Sequence, residues 1–400
     1  MLAGLRVLDV SHQYSGALAA SLLADLGADV IAVEHPSRMT IRTMLPRKGE
    51  SLWWKVVGRG KRAITLDMAS PTGRDMFLKL AHNFDVIIEN FRAGTLERWG
   101  LGPEDLERAG VNVVLLRISG FGQTGPYRDR PGFGTIAEAM SGFAYLNGER
   151  SGPPMFPSTT LADGVAGLFG AFGALSALWN RQRDNSPSLG VEVVDIALFE
   201  GLFRLIPTQI ATYDQLGVIP IRPGNKLTSH GVLRNLYRSS DDRYLCMSAV
   251  GSVAIGRILM AVGATNLVAE LDAGVMSAEP ALVEEFLNRC DAQVAQWSST
   301  TPFEIMTKAL QANDAVFLTV YNAKDIVDDP QYAARGDLVS VPDGEDGVIL
   351  MQGVVPKYPA RQHDVPHAGR PKASDNSAVY REYLHLDSDE LDRLHDQGVV

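Results

Sequence analysis

Two strand-like runs separated by a helix, all within the first 34 residues, restrict this chain to one class of fold more than any other feature in it. Leu5-Arg6-Val7-Leu8-Asp9-Val10 is a short apolar run of the kind buried on both faces of a parallel sheet. A turn over 11–16 follows, then a helix over 17–26 with Leu22, Leu23 and Leu26 on one face. Gly27 supplies the left-handed residue that commonly ends a helix. Asp29-Val30-Ile31-Ala32-Val33-Glu34 is the second strand, and a strand–helix–strand unit of this length predicts a doubly wound α/β core.

The same alternation continues. Strands are expected at 63–66, 85–89, 111–119 and 191–195, with a helix opening at Ser70-Pro71 and a long Ala/Gly/Leu-rich helix over 161–181. Met140 to Tyr145 is a local apolar stretch. Between 217 and 231 the composition shifts to Pro, Gly and Asn, which marks a boundary. A second section starts with a strand at 244–247 and carries helices over 255–260, 280–297 and 302–311. Residues 325–335 read as a return linker, 347–355 as strand-like and 386–395 as a charged terminal helix. A chain of 400 residues exceeds one small core, so two globular parts are expected.

The formal net charge of −10 disfavours nucleic acid or an anionic membrane as a non-specific partner. Cys246 and Cys290 stand far apart in no metal-type spacing, which suits a reducing, cytoplasmic compartment. The first residues enter a strand pattern without a signal-peptide layout, and the apolar stretches are broken too often to predict a membrane span.

Several chemistries are excluded by what the motifs lack. Glu34 ends the second strand where a ribose-binding acid would stand, but the turn Val10-Ser11-His12-Gln13-Tyr14-Ser15-Gly16 has one glycine and two bulky side chains, against the glycine-rich loop that a dinucleotide needs. No HExxH occurs, His363 and His367 lie in a Pro-rich stretch, and the GxSxG of a serine hydrolase is absent, so no metal or serine nucleophile is expected.

Asp163 opens the long helix in Thr159-Thr160-Leu161-Ala162-Asp163-Gly164. The plain reading is an N-cap, worth ~1 kcal/mol. Gly164, Gly167, Gly170 and Gly173 recur at every third position, although each interior glycine costs about 0.5–1 kcal/mol relative to alanine. Such a stripe implies close approach of another helix or of a ligand. A helix N-terminus also keeps a carboxylate ionised, as a nucleophile requires. The second candidate is Asn90-Phe91-Arg92-Ala93-Gly94 through Arg98-Trp99-Gly100, just after a strand, where open α/β sheets bind ligands. Its arginines suit phosphates and its aromatics suit a purine; a solvated helix surface with a buried Trp is the alternative.

Taken in order, these stretches resemble the class III CoA-transferase family, which also contains α-methylacyl-CoA racemase. The resemblance rests on Gly4–Asp9, Leu26–Glu34, Gly60-Lys61-Arg62-Ala63-Ile64-Thr65-Leu66-Asp67, Asp85–Gly94, Ser119-Gly120-Phe121-Gly122-Gln123-Thr124-Gly125-Pro126 and Ala162-Asp163-Gly164. It covers the whole chain, densely to about residue 200. It implies an α/β fold with a Rossmann-like large domain (1–215), a smaller α/β domain (216–325), and a linker with C-terminal part (326–400) that returns to the large domain. It further implies an interlocked homodimer, a heteromer being the variant some members use. Asp163 matches the catalytic aspartate. CoA contacts are expected from Gln13, Tyr14, Ser15, Arg42, Leu66, Asn90, Phe91, Arg98 and Trp99, with coenzyme A as part of the acyl-CoA substrate and no permanent cofactor.

Phe133 occupies the place of a racemase histidine, and phenylalanine exchanges no proton, so a transferase is favoured over a racemase or a non-catalytic CoA-binding subunit. His35 and Gly369-Arg370-Pro371-Lys372 depart from the family pattern. Arg42, Arg47, Arg130 and His230, with His12, are the candidates to meet a second carboxylate. A succinyl-CoA-like donor is therefore expected, with a carboxylic acid as acceptor.

Overall fold

The computed structural model describes residues 1–38, 41–184, 190–361 and 363–400. Its backbone divides into two compact units. One comprises Met1–Ala144, Phe156–Val218 and Gln331–Val400, the other Tyr145–Met155 and Ile219–Pro330.

The first unit is built on a six-stranded sheet. Its strands are β1 (Arg6–Asp9), β2 (Asp29–Glu34), β3 (Lys61–Thr65), β4 (Val86–Glu89), β5 (Val113–Ser119) and β6 (Val191–Ala197). The spatial order is β3-β2-β1-β4-β5-β6, and all neighbours run parallel. Leu8 of β1 pairs with Ile31 on one side and Ile87 on the other, so the central strands are apolar on both faces, as the runs required. The helices that matter for the site are α1 (Tyr14–Asp25), α2 (Pro71–Ala81), α3 (Gly134–Met140), α4 (Leu161–Asp184) and α5 (Leu198–Arg204). At the start of α2, Ser70 Oγ accepts from Gly73 N at 3.0 Å with Pro71 in the first turn.

α4 explains the glycine stripe. A β-carbon on Gly167 would stand 2.6 Å from the Ser15 carbonyl, on Gly170 3.1 Å from Leu116 and Ile118, and on Gly173 2.8 Å from Val194. The helix therefore lies close against α1, β5 and β6: a β-carbon at Gly167 would collide with backbone, and one at Gly170 or Gly173 would press on neighbouring side chains, so three of the four glycines are used for packing. By length and composition alone α4 could cross a membrane, contrary to the expectation from sequence, although this glycine face is packed inside the unit.

Buried ion pairs tie the sheet and its surroundings together, those of Lys61 and Arg59 among them. Lys61 Nζ, fully buried, donates to Asp9 Oδ2 at 2.8 Å and to the Ala17 carbonyl at 2.7 Å. Arg59 pairs with Asp25 through Nε at 2.9 Å. The chain's last residues seal edge strand β3. Asp375 Oδ2 accepts from Ala63 N at 2.8 Å, Asn376 Oδ1 accepts from Thr65 N at 2.9 Å, and Tyr380 Oη donates to the Thr65 carbonyl at 2.5 Å. Val399 and Val400 complete the core beside Leu66 and Met68.

In the second unit Val232–Arg238, Tyr244–Val250 and Phe317–Thr319 form an antiparallel sheet, with Tyr244–Val250 in the middle. The helices Gly251–Val262, Pro280–Thr300 and Phe303–Ala312 pack with it around Phe286, Leu287 and Met306. Arg222 fastens the 145–155 segment here, donating to the Gly152 carbonyl at 2.8 Å and the Tyr145 carbonyl at 3.2 Å. The stretch expected at 325–335 as a return linker carries two short helices, Ala323–Asp328 and Pro330–Arg335. Asn322 caps the first of them, its side chain accepting from Lys324 N at 2.8 Å.

Removing one partner of a buried ion pair strands the other. Lys61→Ala is expected to destabilise the protein by about 3–5 kcal/mol, read as a lower urea midpoint; an unchanged midpoint would show that Asp9 is satisfied without the ammonium.

Candidate active site

The strand order reverses between β1 and β4, which makes the carboxyl ends of these strands the place where an open α/β sheet binds ligands. The two loops leaving them are stitched together. His12 N donates to Asn90 Oδ1 at 2.8 Å, and Asn90 Nδ2 donates to Ser15 Oγ at 3.3 Å. Phe91 N donates to Glu89 Oε2 at 2.6 Å, while Glu89 Oε1 accepts from Arg117 Nε at 2.7 Å. Above them His12, Phe91 and Trp99 stack edge to face, with centroids 4.6 and 5.1 Å apart.

Asp163 arrives from the side, on the first turn of α4. It is not the cap: the helix begins at Leu161, which puts Asp163 two residues inside it. The helix end is expected to keep it ionised, and burial works against that. Burial, with the Glu138 carboxylate nearby, pushes the Asp163 carboxyl up to about 6, although it is still mainly ionised at neutral pH. Burial and Asp163 in turn raise the Tyr14 hydroxyl above its ordinary value.

The loop after β5 brings the remaining parts. Gly120 and Gly132 meet backbone to backbone; a β-carbon on Gly120 would stand 2.9 Å from Gly132 Cα. Gln123 N donates to Asp195 Oδ2 at 2.9 Å, and Arg92 Nη2 donates to the Asp129 carbonyl at 2.7 Å. Thus fixed, the loop sets Phe133 at the start of α3, 70 % exposed. Gly134 follows, where any β-carbon would overlap Asp163 Oδ2 outright.

Two cavities meet at this aspartate. The smaller, about 130 Å³, is lined by Ser15, Asn90, Phe91, Arg92, Arg128 and Arg130 among others. The larger, about 530 Å³, is lined by Tyr14, Trp53, Thr135, Glu138, Thr159 and Thr160 among others. Gln13, Phe133 and Asp163 border both. A carboxylate so placed can reach a carbonyl carbon lying between a guanidinium-lined space and a hydroxyl-lined one.

The structure sorts the candidates read from sequence. Gln13, Ser15, Asn90, Phe91 and Arg130 line the smaller cavity with Asp163, and Tyr14 lines the larger. Arg98 lies near them: a β-carbon on Gly94, whose φ is 77°, would stand 3.5 Å from Arg98 Nη1 and 3.9 Å from Arg128 Nη2. Trp99 backs Phe91.

Other candidates are turned elsewhere. The Leu66 side chain is in the core and borders neither cavity. Arg42 is buried against Glu34 through bonds of 2.7 Å, above Trp54, and donates to the Arg370 carbonyl at 3.0 Å. That bond also gives the divergent 369–372 segment its place. Arg47 faces Asp343 at 3.7 Å and borders neither cavity. Burial and the neighbouring Arg38 push His12 down to about 4, so at neutral pH it offers no positive charge to a carboxylate. His230 belongs to the second unit, beside Ser229 Oγ at 3.1 Å.

Sequence reasoning missed Arg128, Ser119, Gly134 and Glu138. The Ser119 hydroxyl is buried without a hydrogen-bond partner among the described residues and lines the smaller cavity. Gly134 alone carried a signal, as the second glycine around Phe133 in Gly132-Phe133-Gly134.

Residues 2–376 match the model of CoA-transferase family III. The chain belongs to that family. It is 34 % identical over 398 residues to the succinyl-CoA–D-citramalate CoA-transferase of Chloroflexus aurantiacus, covering 99 % of this chain and 97 % of the relative. It is 32 % identical to the succinyl-CoA–L-malate CoA-transferase beta subunit of the same organism, covering 100 % and 98 %. Among solved structures, a CAIB/BAIF family protein from Brucella suis superimposes with a TM-score of 0.83 at 25 % identity, over 95 % of this chain and 98 % of that one.

For this CoA-transferase, Gly134→Ala adds a methyl group where the Asp163 carboxylate lies. CoA transfer is expected to fall by roughly 100-fold or more with little change in melting temperature. Near-wild-type turnover would show that the carboxylate works from another position.

Proposed function

We propose that this protein moves CoA from a short dicarboxylyl-CoA, succinyl-CoA first among them, to a carboxylic acid, with Asp163 as the nucleophile. One observation carries the reading: Asp163 stands at the junction of the two cavities, with Gln13 and Phe133 as their shared wall. Arg92, Arg128 and Arg130 give the smaller cavity the charge that a CoA phosphate or a leaving thiolate needs. The names of the relatives, which act from succinyl-CoA, support the donor.

In this mechanism the Asp163 carboxylate attacks the thioester carbonyl and expels CoA thiolate, leaving a mixed anhydride. The thiolate attacks the aspartyl carbonyl of that anhydride, which releases the donor acid and leaves an aspartyl-CoA thioester. The acceptor carboxylate attacks this thioester, giving a second anhydride and thiolate again. Attack of the thiolate on the acceptor's acyl carbon forms the new acyl-CoA and frees Asp163. Each displacement exchanges one activated carbonyl for another, so no step is steeply uphill.

The working form on this reading is a homodimer. Leu168, Phe172 and Trp179 are all more than half exposed and recur along one side of α4. An apolar stripe of that kind is ordinarily covered by another protein surface.

Asp163→Asn is expected to abolish CoA transfer from succinyl-CoA while binding of CoA persists. Hydroxylamine after succinyl-CoA treatment is expected to modify Asp163, read by peptide mass; modification elsewhere, or none, refutes the assignment. Phe172→Asp with Trp179→Asp is expected to reduce the molar mass in solution from two chains to one by light scattering, and an unchanged mass would remove the dimer from the reading.

A further inference from the structure

Glu138 is a buried acid that none of the four displacements uses. It lies on α3, one turn after Gly134, and 3 % of it is exposed. Its Oε1 accepts from Ala162 N at 3.4 Å, on the residue just before Asp163. It lines the larger cavity together with Asp163, and no cation among the described residues forms an ion pair with it. Burying a carboxylate is costly, and burying one beside another carboxylate costs more.

The charges around Asp163 are unevenly placed. On α3 it faces Glu138, and on α1 it faces Tyr14. Along its own helix no charged residue follows until Arg181. On α5 the Glu200 carboxylate accepts from Ala197 N at 2.8 Å. The cations, Arg92, Arg128 and Arg130, all line the smaller cavity.

We propose that Glu138 is a positioning residue for Asp163, a fixed negative charge on the larger-cavity side that keeps the nucleophile basic and drives its electrons toward the thioester. This rests on the reading of Asp163 as the nucleophile. When Asp163 attacks, its charge is spent in the new acyl bond and reappears on the departing sulfur. The repulsion from Glu138 is thereby relieved, while the negative charge moves toward the arginine-lined side. Both changes favour the transition state over the resting site, which is how a fixed charge accelerates a step. The raised proton affinity of Asp163, caused by burial and by Glu138, agrees with this geometry.

Glu138→Gln isolates the charge, because the amide oxygen still accepts from Ala162 N. The experiment is single-turnover acylation of Asp163 in the full-length protein, with succinyl-CoA and acetyl-CoA as donors, followed from acid to neutral pH. In the wild type the rate is expected to fall on acidification with a midpoint of about 6, as Asp163 takes up its proton. In Glu138→Gln the midpoint is expected to move down by roughly one unit, and the plateau rate to drop roughly three- to tenfold as basicity is lost. Glu138→Asp keeps the charge and is expected to keep the wild-type midpoint. An unchanged midpoint and plateau in Glu138→Gln would reduce Glu138 to a helix-capping group and overturn the proposal. So would a Glu138→Asp midpoint as low as that of the glutamine variant. If the wild type itself forms no adduct at Asp163 with either donor, the nucleophile reading fails, and this inference falls with it.

Discussion

The close approach of α4 to α1 and the sheet is the contact on which the rest of the site depends. A helix normally stands off a neighbouring element by the depth of its side chains. Here Gly167 lets the backbone of α4 come down onto the Ser15 carbonyl, and Gly170 and Gly173 do the same over β5 and β6. The first turn of α4 is thereby brought level with the loops leaving β1 and β4, and Asp163 meets Asn90, Phe91 and Gln13 around one cavity. An alanine-rich helix of the same length would pack further out and carry its aspartate away from the switch point. The glycines cost helix stability, and they return it as position.

Much of this was legible in the residues. Apolar runs such as Asp29–Glu34 are buried parallel strands because nothing else accommodates that many β-branched side chains without a polar face. The Asn90-Phe91 loop was recognisable because it follows such a strand. Arg42 shows where that kind of reading stops. The family resemblance implied a CoA contact for it, yet Glu34, eight residues away, occupies its guanidinium. Residue type says that an arginine seeks an anion, but the anion it finds depends on where the chain returns.

Glu138 and Gly134 illustrate the converse. Glu138 has no mark of its own in the sequence, and both residues matter because α3 runs beside the first turn of α4. Leu66 stands between these cases: its strand neighbours were read correctly, while its side chain turns into the core beside Val399. Pairings between residues tens or hundreds of positions apart, such as Lys61 with Asp9 or Trp54 with the Arg370 carbonyl, leave no periodic trace in a single sequence.

The sealing of β3 by Asp375, Asn376 and Tyr380 bears on how the protein comes to be made. Synthesis proceeds from the N-terminus, so all six strands of the sheet exist long before the residues that cover its edge. Throughout that interval Ala63 and Thr65 present unpaired amide groups on an open edge strand, the arrangement most able to recruit a second unfinished chain. The second unit, which is translated in between, sets the length of that exposure. A nascent chain of this kind is thus most vulnerable when its parallel sheet looks finished, and its safety is decided by residues 375–380.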